Sequence, residues 1–241
     1  MSSGSIVAEM TGFPRYAIYH AAARGSDLDR FGAQHLGYDA WTGGGLPFPA
    51  DLAEAVADWR ALTEDPRKYG FHATLKAPMT LADGRSEREL LTACAEFADA
   101  PRAIPVIRPV VQSISGFIAV IPAEPSADLE QFAADCVTAF DGFRAPLTAE
   151  DRARRNPSKL TARQCEHLDR WGYPYVMEEF RFHMTLTGRL DASRREPILA
   201  MLQARFARLR IARLAIDGIA LFKQDDAASR FRIIGHWALR A

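Results

Sequence analysis

Along the chain, runs that alternate apolar and polar residues give way to runs with apolar residues three and four apart, the pattern of strands interleaved with helices. Arg15 to Ala22 (RYAIYHAA) reads as a first strand, and Ser26 to Gly37 (SDLDRFGAQHLG) as a helix opened by a serine N-cap and closed at glycine. A loop rich in Gly and Pro follows (YDAWTGGGLPFPA), then a helical run, DLAEAVADWRALTED, that Pro66 is expected to stop. Further on, SERELLTACAEFADA and SADLEQFAADCVTAF are amphipathic and open on serine, and between them lie two strand-like runs, IPVIRPVVQSIS and GFIAVIPA. KLTARQCEHLDRWG and SRREPILAMLQARFARL read as two more helices, and IARLAIDGIALFKQ and SRFRIIGHWAL as the last strands.

Within this pattern one arrangement occurs twice. Tyr69 to Pro78 (YGFHATLKAP) and Phe180 to Gly188 (FRFHMTLTG) both contain histidine, an apolar residue, threonine and leucine, with the histidines 111 positions apart. Each histidine strand is followed by a helix and then by two strand-like runs. The simplest account is a duplicated α+β unit in a single bilobal domain: two antiparallel-sheet lobes with flanking helices around a central cleft. The boundaries expected are approximately 13–123 for lobe one, 124–175 for a helical connection rich in basic residues, and 176–241 for lobe two.

Strand geometry separates the two sides of each motif. His72, Thr74 and Lys76 share one face and Phe71, Ala73 and Leu75 the other; likewise Arg181, His183, Thr185 and Thr187 face away from Phe180, Phe182, Met184 and Leu186. One side of each strand is core, and the other carries an imidazole and a hydroxyl about 7 Å apart at their Cα atoms. If the two lobes face each other, two imidazoles and two hydroxyls converge on one point. That set suits a cyclic phosphodiester. Histidine, with an unperturbed pKa of about 6.5, lets one copy take a proton from water while the other protonates the departing alkoxide. The threonine hydroxyls would then hold the non-bridging phosphoryl oxygens.

Composition narrows the partners. Thirty basic and thirty acidic residues cancel, so no global positive field exists to hold long nucleic acid. Three scattered cysteines, Cys94, Cys136 and Cys165, favour reduced, mostly buried thiols over a disulfide framework or zinc cluster. No apolar run approaches the roughly 20 residues of a membrane helix, and MSSGSIVAEMTG lacks the basic start and apolar middle of a leader, so the cytoplasm is the expected location. No metal-ligand motif is present, and no cofactor is expected.

The pair HATL and HMTL resembles the signature of the two-histidine (2H) phosphoesterase superfamily, which includes cyclic nucleotide phosphodiesterases and 2'-5' RNA ligases. YGFHATLKAP and FRFHMTLTG, with LGYDAWTG upstream, look most like a branch often encoded beside carbon-phosphorus lyase genes for phosphonate use. The resemblance implies a bilobal fold, metal-independent catalysis by His72, Thr74, His183 and Thr185, and a small substrate with a cyclic phosphate on a ribose or nucleotide. Lys76, Arg181, Thr187, Tyr16 and Lys223 are the further candidates for substrate contact. Tyr19, Tyr173, Tyr175 and Phe222 are aromatics that either stack on a base or belong to the core, whereas His20, His35, His167 and His236 lie outside the pattern. The Arg181 charge beside His183 favours His183 as base and His72 as acid. Competing readings are a 2'-5' RNA ligase acting on short RNA ends and a non-catalytic nucleotide or RNA binder. The oligomeric state is not legible in the sequence.

Overall fold

The computed structural model of the chain describes residues 12–241, so residues 1–11, nearly all of the stretch read above as lacking leader features, lie outside the described residues. Seven strands carry the architecture: β1 (Arg15–His20), β2 (Ala73–Met79), β3 (Pro109–Ile114), β4 (Phe117–Pro122), β5 (Met184–Thr185), β6 (Gly218–Gln224) and β7 (Arg232–Ala238). They form one antiparallel layer in the order β7-β6-β1-β2-β5-β4-β3. Between β2 and β5 the ladder narrows to one residue pair, Ala73 opposite Met184. The layer is thus two antiparallel sheets, of four and three strands, joined at a seam. This is the α+β, two-lobed architecture expected from the repeated pattern.

The connectivity differs from two consecutive lobes. The four-stranded sheet takes β1 and β2 from the first half of the chain and β6 and β7 from its end, while β5 sits against β3 and β4 from the first half. Each sheet therefore draws on both of the segments set off above as 13–123 and 176–241. β1 lies between β6 and β2 and is buried along its whole length, its polar ends Arg15 and His20 included.

Among the described residues five helices run to ten residues or more: α1 (Asp27–Leu36), α2 (Glu87–Asp99), α3 (Ala127–Phe140), α4 (Ala162–Trp171) and α5 (Ala192–Ala207). Their starts follow the sequence signals. Ser26, Ser86, Ser126 and Thr161 each accept a backbone N–H from the first turn, and Ser86 with Glu89 completes a capping box. α1 ends at Gly37 in the left-handed region, φ 66°, which glycine adopts without steric cost. Two expectations fail. The run from Asp51 to Asp65 is not one helix but three short ones, Ala50–Ala55, Trp59–Leu62 and Glu64–Arg67, with Pro66 inside the last rather than beyond it. What holds that segment is tertiary: Trp59 is buried and donates from its indole to the His35 carbonyl, and Arg67 donates to the Leu36 carbonyl. In the second motif only Met184 and Thr185 join a ladder: past them the Leu186 and Thr187 N–H groups both turn to the Ile118 carbonyl of β4, and the Gly188 N–H goes to the Leu62 carbonyl.

Several candidate contacts prove structural. Lys76 is 2% exposed and bonds Asp141 at 2.6 Å and the Val137 carbonyl at 3.1 Å, because α3 packs across β2 where the alternation pointed to an open face. Thr187 is fully buried; its hydroxyl accepts the Ile118 N–H at 3.1 Å and donates to the Gly188 carbonyl at 2.8 Å. Tyr16 donates to Glu87 at 2.8 Å, and Lys223 pairs with Glu87 and Asp225 at 2.8 and 3.2 Å. Tyr16 lies opposite Met79, at the far end of β2 from His72. The three thiols are free: Cys94 and Cys136 are buried and Cys165 half-buried, with burial pushing Cys94 up to about 12.

The Lys76–Asp141 pair makes a stability prediction. Asp141→Ala leaves an ammonium buried without its carboxylate and should cost about 3 kcal/mol, whereas Lys76→Met, which removes the buried charge itself, should cost under about 1 kcal/mol. Urea unfolding midpoints of the two variants check the asymmetry.

Candidate functional site

The seam places the two motifs. Extending the antiparallel register one residue either way from Ala73 and Met184 sets His72 opposite Thr185 and Thr74 opposite His183, all four on one face of the layer. Directly opposed residues have Cβ atoms about 4.5–5.5 Å apart. The two imidazoles thus occupy one diagonal of a four-residue square and the two hydroxyls the other. Ala73 and Met184 point to the opposite face and are fully buried. All four polar residues of the square are half-buried.

Both rings are held in the same way. His72 Nδ1 lies 2.9 Å from the Gly70 carbonyl and His183 Nδ1 lies 2.7 Å from the Arg181 carbonyl, in each case the carbonyl two residues earlier. A carbonyl only accepts, so each Nδ1 carries the proton and each Nε2 presents a lone pair. At His72 that lone pair is 3.3 Å from the Thr74 hydroxyl.

The surroundings of the two rings differ. His72 stacks on Tyr19, centroids 3.8 Å apart and planes at 22°, with Phe222 at 6.0 Å and Tyr69 at 6.1 Å. His183 has Phe117 at 5.5 Å and opens onto a cleft of about 440 Å³. Thr74, Arg181, Arg189, Tyr173 and Tyr175 also line that cleft. Burial pushes the His72 imidazole down to about 4; the charge on His183 acts in the same direction and the Gly70 carbonyl opposes. Burial likewise lowers His183, and its Arg181 contact acts through the carbonyl, which raises it. The expected influence of the Arg181 charge on the choice of base is therefore replaced by desolvation, which is stronger at His72. Both rings are neutral near pH 7.

Of the nine residues singled out as candidates, His72, Thr74, His183 and Thr185 come together and Arg181 stands at the cleft beside them. Lys76, Thr187, Tyr16 and Lys223 do not join them. Pattern reading passed over the role of Tyr19 as the platform under His72. It shares the Ala17 and Ala21 face of β1, and the small residues on either side leave room for a ring, a signal visible only once β1 is known to neighbour β2. The connection between 141 and 175 reaches the cleft through Gln164, Tyr173 and Tyr175, and the Arg155 guanidinium lies 5.3 Å from the centre of the Tyr173 ring. His35 is structural, held between the Phe31 carbonyl and Arg205. Among the described residues no group of three or more His, Cys, Asp and Glu side chains is arranged to hold a metal ion, and no helix is long and apolar enough to cross a membrane.

The stacked ring gives a titration prediction. In the free protein, NMR titration of the His72 ring should show a midpoint near 4, below the roughly 6.5 of an exposed histidine. Tyr19→Ala, which lets water reach the ring face, should move that midpoint upward. Because the folded values lie below the unfolded one, the unfolded chain binds the extra protons, and stability should fall as pH drops from about 6.5 towards 4. A urea midpoint unchanged across that window would contradict the assignment.

Comparison with known proteins places the chain in a family. Two curated relatives are both named ribose 1,5-bisphosphate phosphokinase PhnN. The one from Janthinobacterium sp. (strain Marseille) is 35% identical over 225 residues, covering 90% of this chain and 49% of its own. The one from Laribacter hongkongensis (strain HLHK9) is 33% identical over 223 residues, covering 91% and 50%. The chain spans about half the length of these relatives. Among solved structures, E. coli LigT complexed with 3'-AMP aligns with a TM-score of 0.39 at 14% identity, covering 95% of this chain and 99% of that one. The conserved protein ATU0111 from Agrobacterium tumefaciens str. C58 aligns with a TM-score of 0.44 at 12% identity, covering 92% and 85%. A family model described as protein of unknown function (DUF1045) matches residues 74–232, a span that includes Thr74 and the whole second motif, and the chain belongs to that family.

Proposed function

We propose that the chain is a cyclic phosphodiesterase that opens a cyclic phosphate on a ribose or nucleotide by general acid/base catalysis from its two histidines, with no metal ion. The observation that carries this reading is the single register pair between β2 and β5, which sets two Nδ1-protonated imidazoles across one diagonal of the site. Two proton-transfer groups flanking one phosphorus are what an in-line displacement at a cyclic diester needs.

The step balances as follows. One Nε2 takes a proton from water as the water oxygen bonds to phosphorus; the bond from phosphorus to one ring oxygen breaks; and the second imidazole, protonated, delivers its proton to that oxygen. The product is a phosphomonoester beside a free hydroxyl. Both rings are neutral in the free protein, so the acid must gain its proton when the anionic substrate binds, since a phosphate against Nε2 raises that pKa. The buried, stacked His72 resists protonation more strongly, and this favours His72 as base and His183 as acid. Thr74 and Thr185, on the other diagonal, would donate to the non-bridging oxygens.

The names of the curated relatives favour the ribose form of the substrate. They act on ribose 1,5-bisphosphate by name, and this chain matches about half of their length. The sequence contains no G-x-x-x-x-G-K-[ST] run to cradle a nucleotide triphosphate, so the shared half is read as something other than that phosphate-binding element. Opening a 1,2-cyclic phosphate on ribose 5-phosphate at the bond to O2 yields ribose 1,5-bisphosphate. This reading suits the phosphonate-use branch that the motifs resemble.

The test is a turnover screen with a strong chelator present, offering 2',3'-cyclic nucleotides, ribose 1,2-cyclic phosphates and a linear dinucleotide. Cyclic phosphates should be opened, and His72→Ala and His183→Ala should each lower kcat by about 10² to 10⁴. Activity that survives both substitutions, or vanishes with chelator, would discard the mechanism; binding without turnover would leave a nucleotide-binding protein. Strand joining in preference to ring opening would make the chain a ligase.

A further inference from the structure

Beyond the reacting groups, the cleft carries positive charge that the ring-opening step does not use. Arg181 and Arg189 both line it and both are exposed. Neither has a carboxylate partner among the described residues, whereas Arg152, Arg154, Arg163 and Arg194, elsewhere on the surface, are each paired with one. An unpaired guanidinium beside a concave polar surface offers a planar fork of donors matched to phosphate oxygens.

The local structure fixes where these forks stand. Arg181 supplies the carbonyl that holds His183, so it is two residues, about 7 Å along an extended backbone, from the ring proposed to act as acid. Arg189 stands beside the turn that joins β3 to β4, because the next residue, Leu190, donates its N–H to the Gly116 carbonyl at 2.8 Å. In that two-residue turn Ser115 and Gly116 have φ of 50° and 92°. Glycine or asparagine would be the usual first residue there; serine accepts the left-handed conformation and lines the cleft. The acidic residue of the lining, Glu179, has one carboxylate oxygen taken up by the Gln164 amide at 2.9 Å.

We propose that Arg181 and Arg189, with the Ser115 hydroxyl, form a second anion subsite that takes a phosphate carried on the far side of the substrate's sugar, so that the preferred substrate is a cyclic phosphate bearing a second, terminal phosphate. The inference rests on the reading of the His72–His183 pair as the ring-opening site and adds the substrate class. The spacer between the two phosphates of such a substrate is a furanose ring and one methylene, and His183, Arg181, Arg189 and Ser115 all line the same cleft.

The experiment compares kcat/KM for ribose 1,2-cyclic phosphate with that for its 5-phosphate. The wild-type protein should prefer the 5-phosphorylated compound by about 10- to 100-fold, the worth of one or two charge-assisted hydrogen bonds. Arg181→Ala and Arg189→Ala should each shrink that ratio, Arg189→Lys should retain part of it, and the double alanine variant should bring it close to one. Melting temperatures of the variants, both positions being exposed, separate a lost contact from a lost fold. Opening of both compounds at equal rates, still abolished by His72→Ala, would overturn the subsite and leave the ring-opening site standing. A preference that persists in the double variant would also overturn it. Failure to open either compound would remove the ring-opening reading and the subsite with it.

Discussion

One backbone pairing decides whether the two histidine motifs meet on one face. Ala73 opposite Met184 is the sole register pair between the sheet that carries the first histidine and the sheet that carries the second. Because side chains alternate along a strand, a slip of one residue there would turn one histidine into the core and its apolar neighbour into the cleft. The neighbours resist such a slip. Ala73 and Met184 are both fully buried, and Phe71, Phe182 and Leu186 pack with them in the same core. The apolar half of each motif sets the position of the polar half.

The same economy governs ring orientation. Each Nδ1 is tied to the carbonyl two residues earlier, a contact that needs no other side chain and depends only on the local path of the backbone. At the first motif that path includes Gly70, whose φ of 74° falls in the left-handed region and whose missing side chain leaves space for Ala40. The repeated motif therefore carries both the imidazoles and the means of aiming them. The difference between the copies comes from outside the motifs, in the aromatic wall of Tyr19, Tyr69 and Phe222 that one ring has and the other lacks.

Much of this was legible in the residues themselves. Period-two alternation identifies which side of each motif is core, and the serines opening SDLDRFGAQHLG and SADLEQFAADCVTAF cap their helices as read. The chain order of the lobes was not legible, because strand pairing between β1 and β6 joins residues some two hundred positions apart and leaves no local trace. Lys76 and Thr187 misled for a related reason. Alternation tells which face a residue is on but not whether a helix lies across that face farther along, and α3 covers Lys76 while the turn after β5 encloses Thr187. Tyr19 was visible as an aromatic and invisible as a support, since its partner arrives from another strand.

The interleaving of the sheets bears on how the molecule is assembled. The wall behind His72 includes Phe222, delivered by a strand near the C-terminal end of the chain, and β6 must be in place beside β1 before that wall exists. Neither half of the sequence supplies that wall alone, despite the repeated motif. A fold whose key contacts span most of its length closes large loops before those contacts reward it. The enclosure around His72 therefore belongs to the whole chain rather than to either copy of the motif.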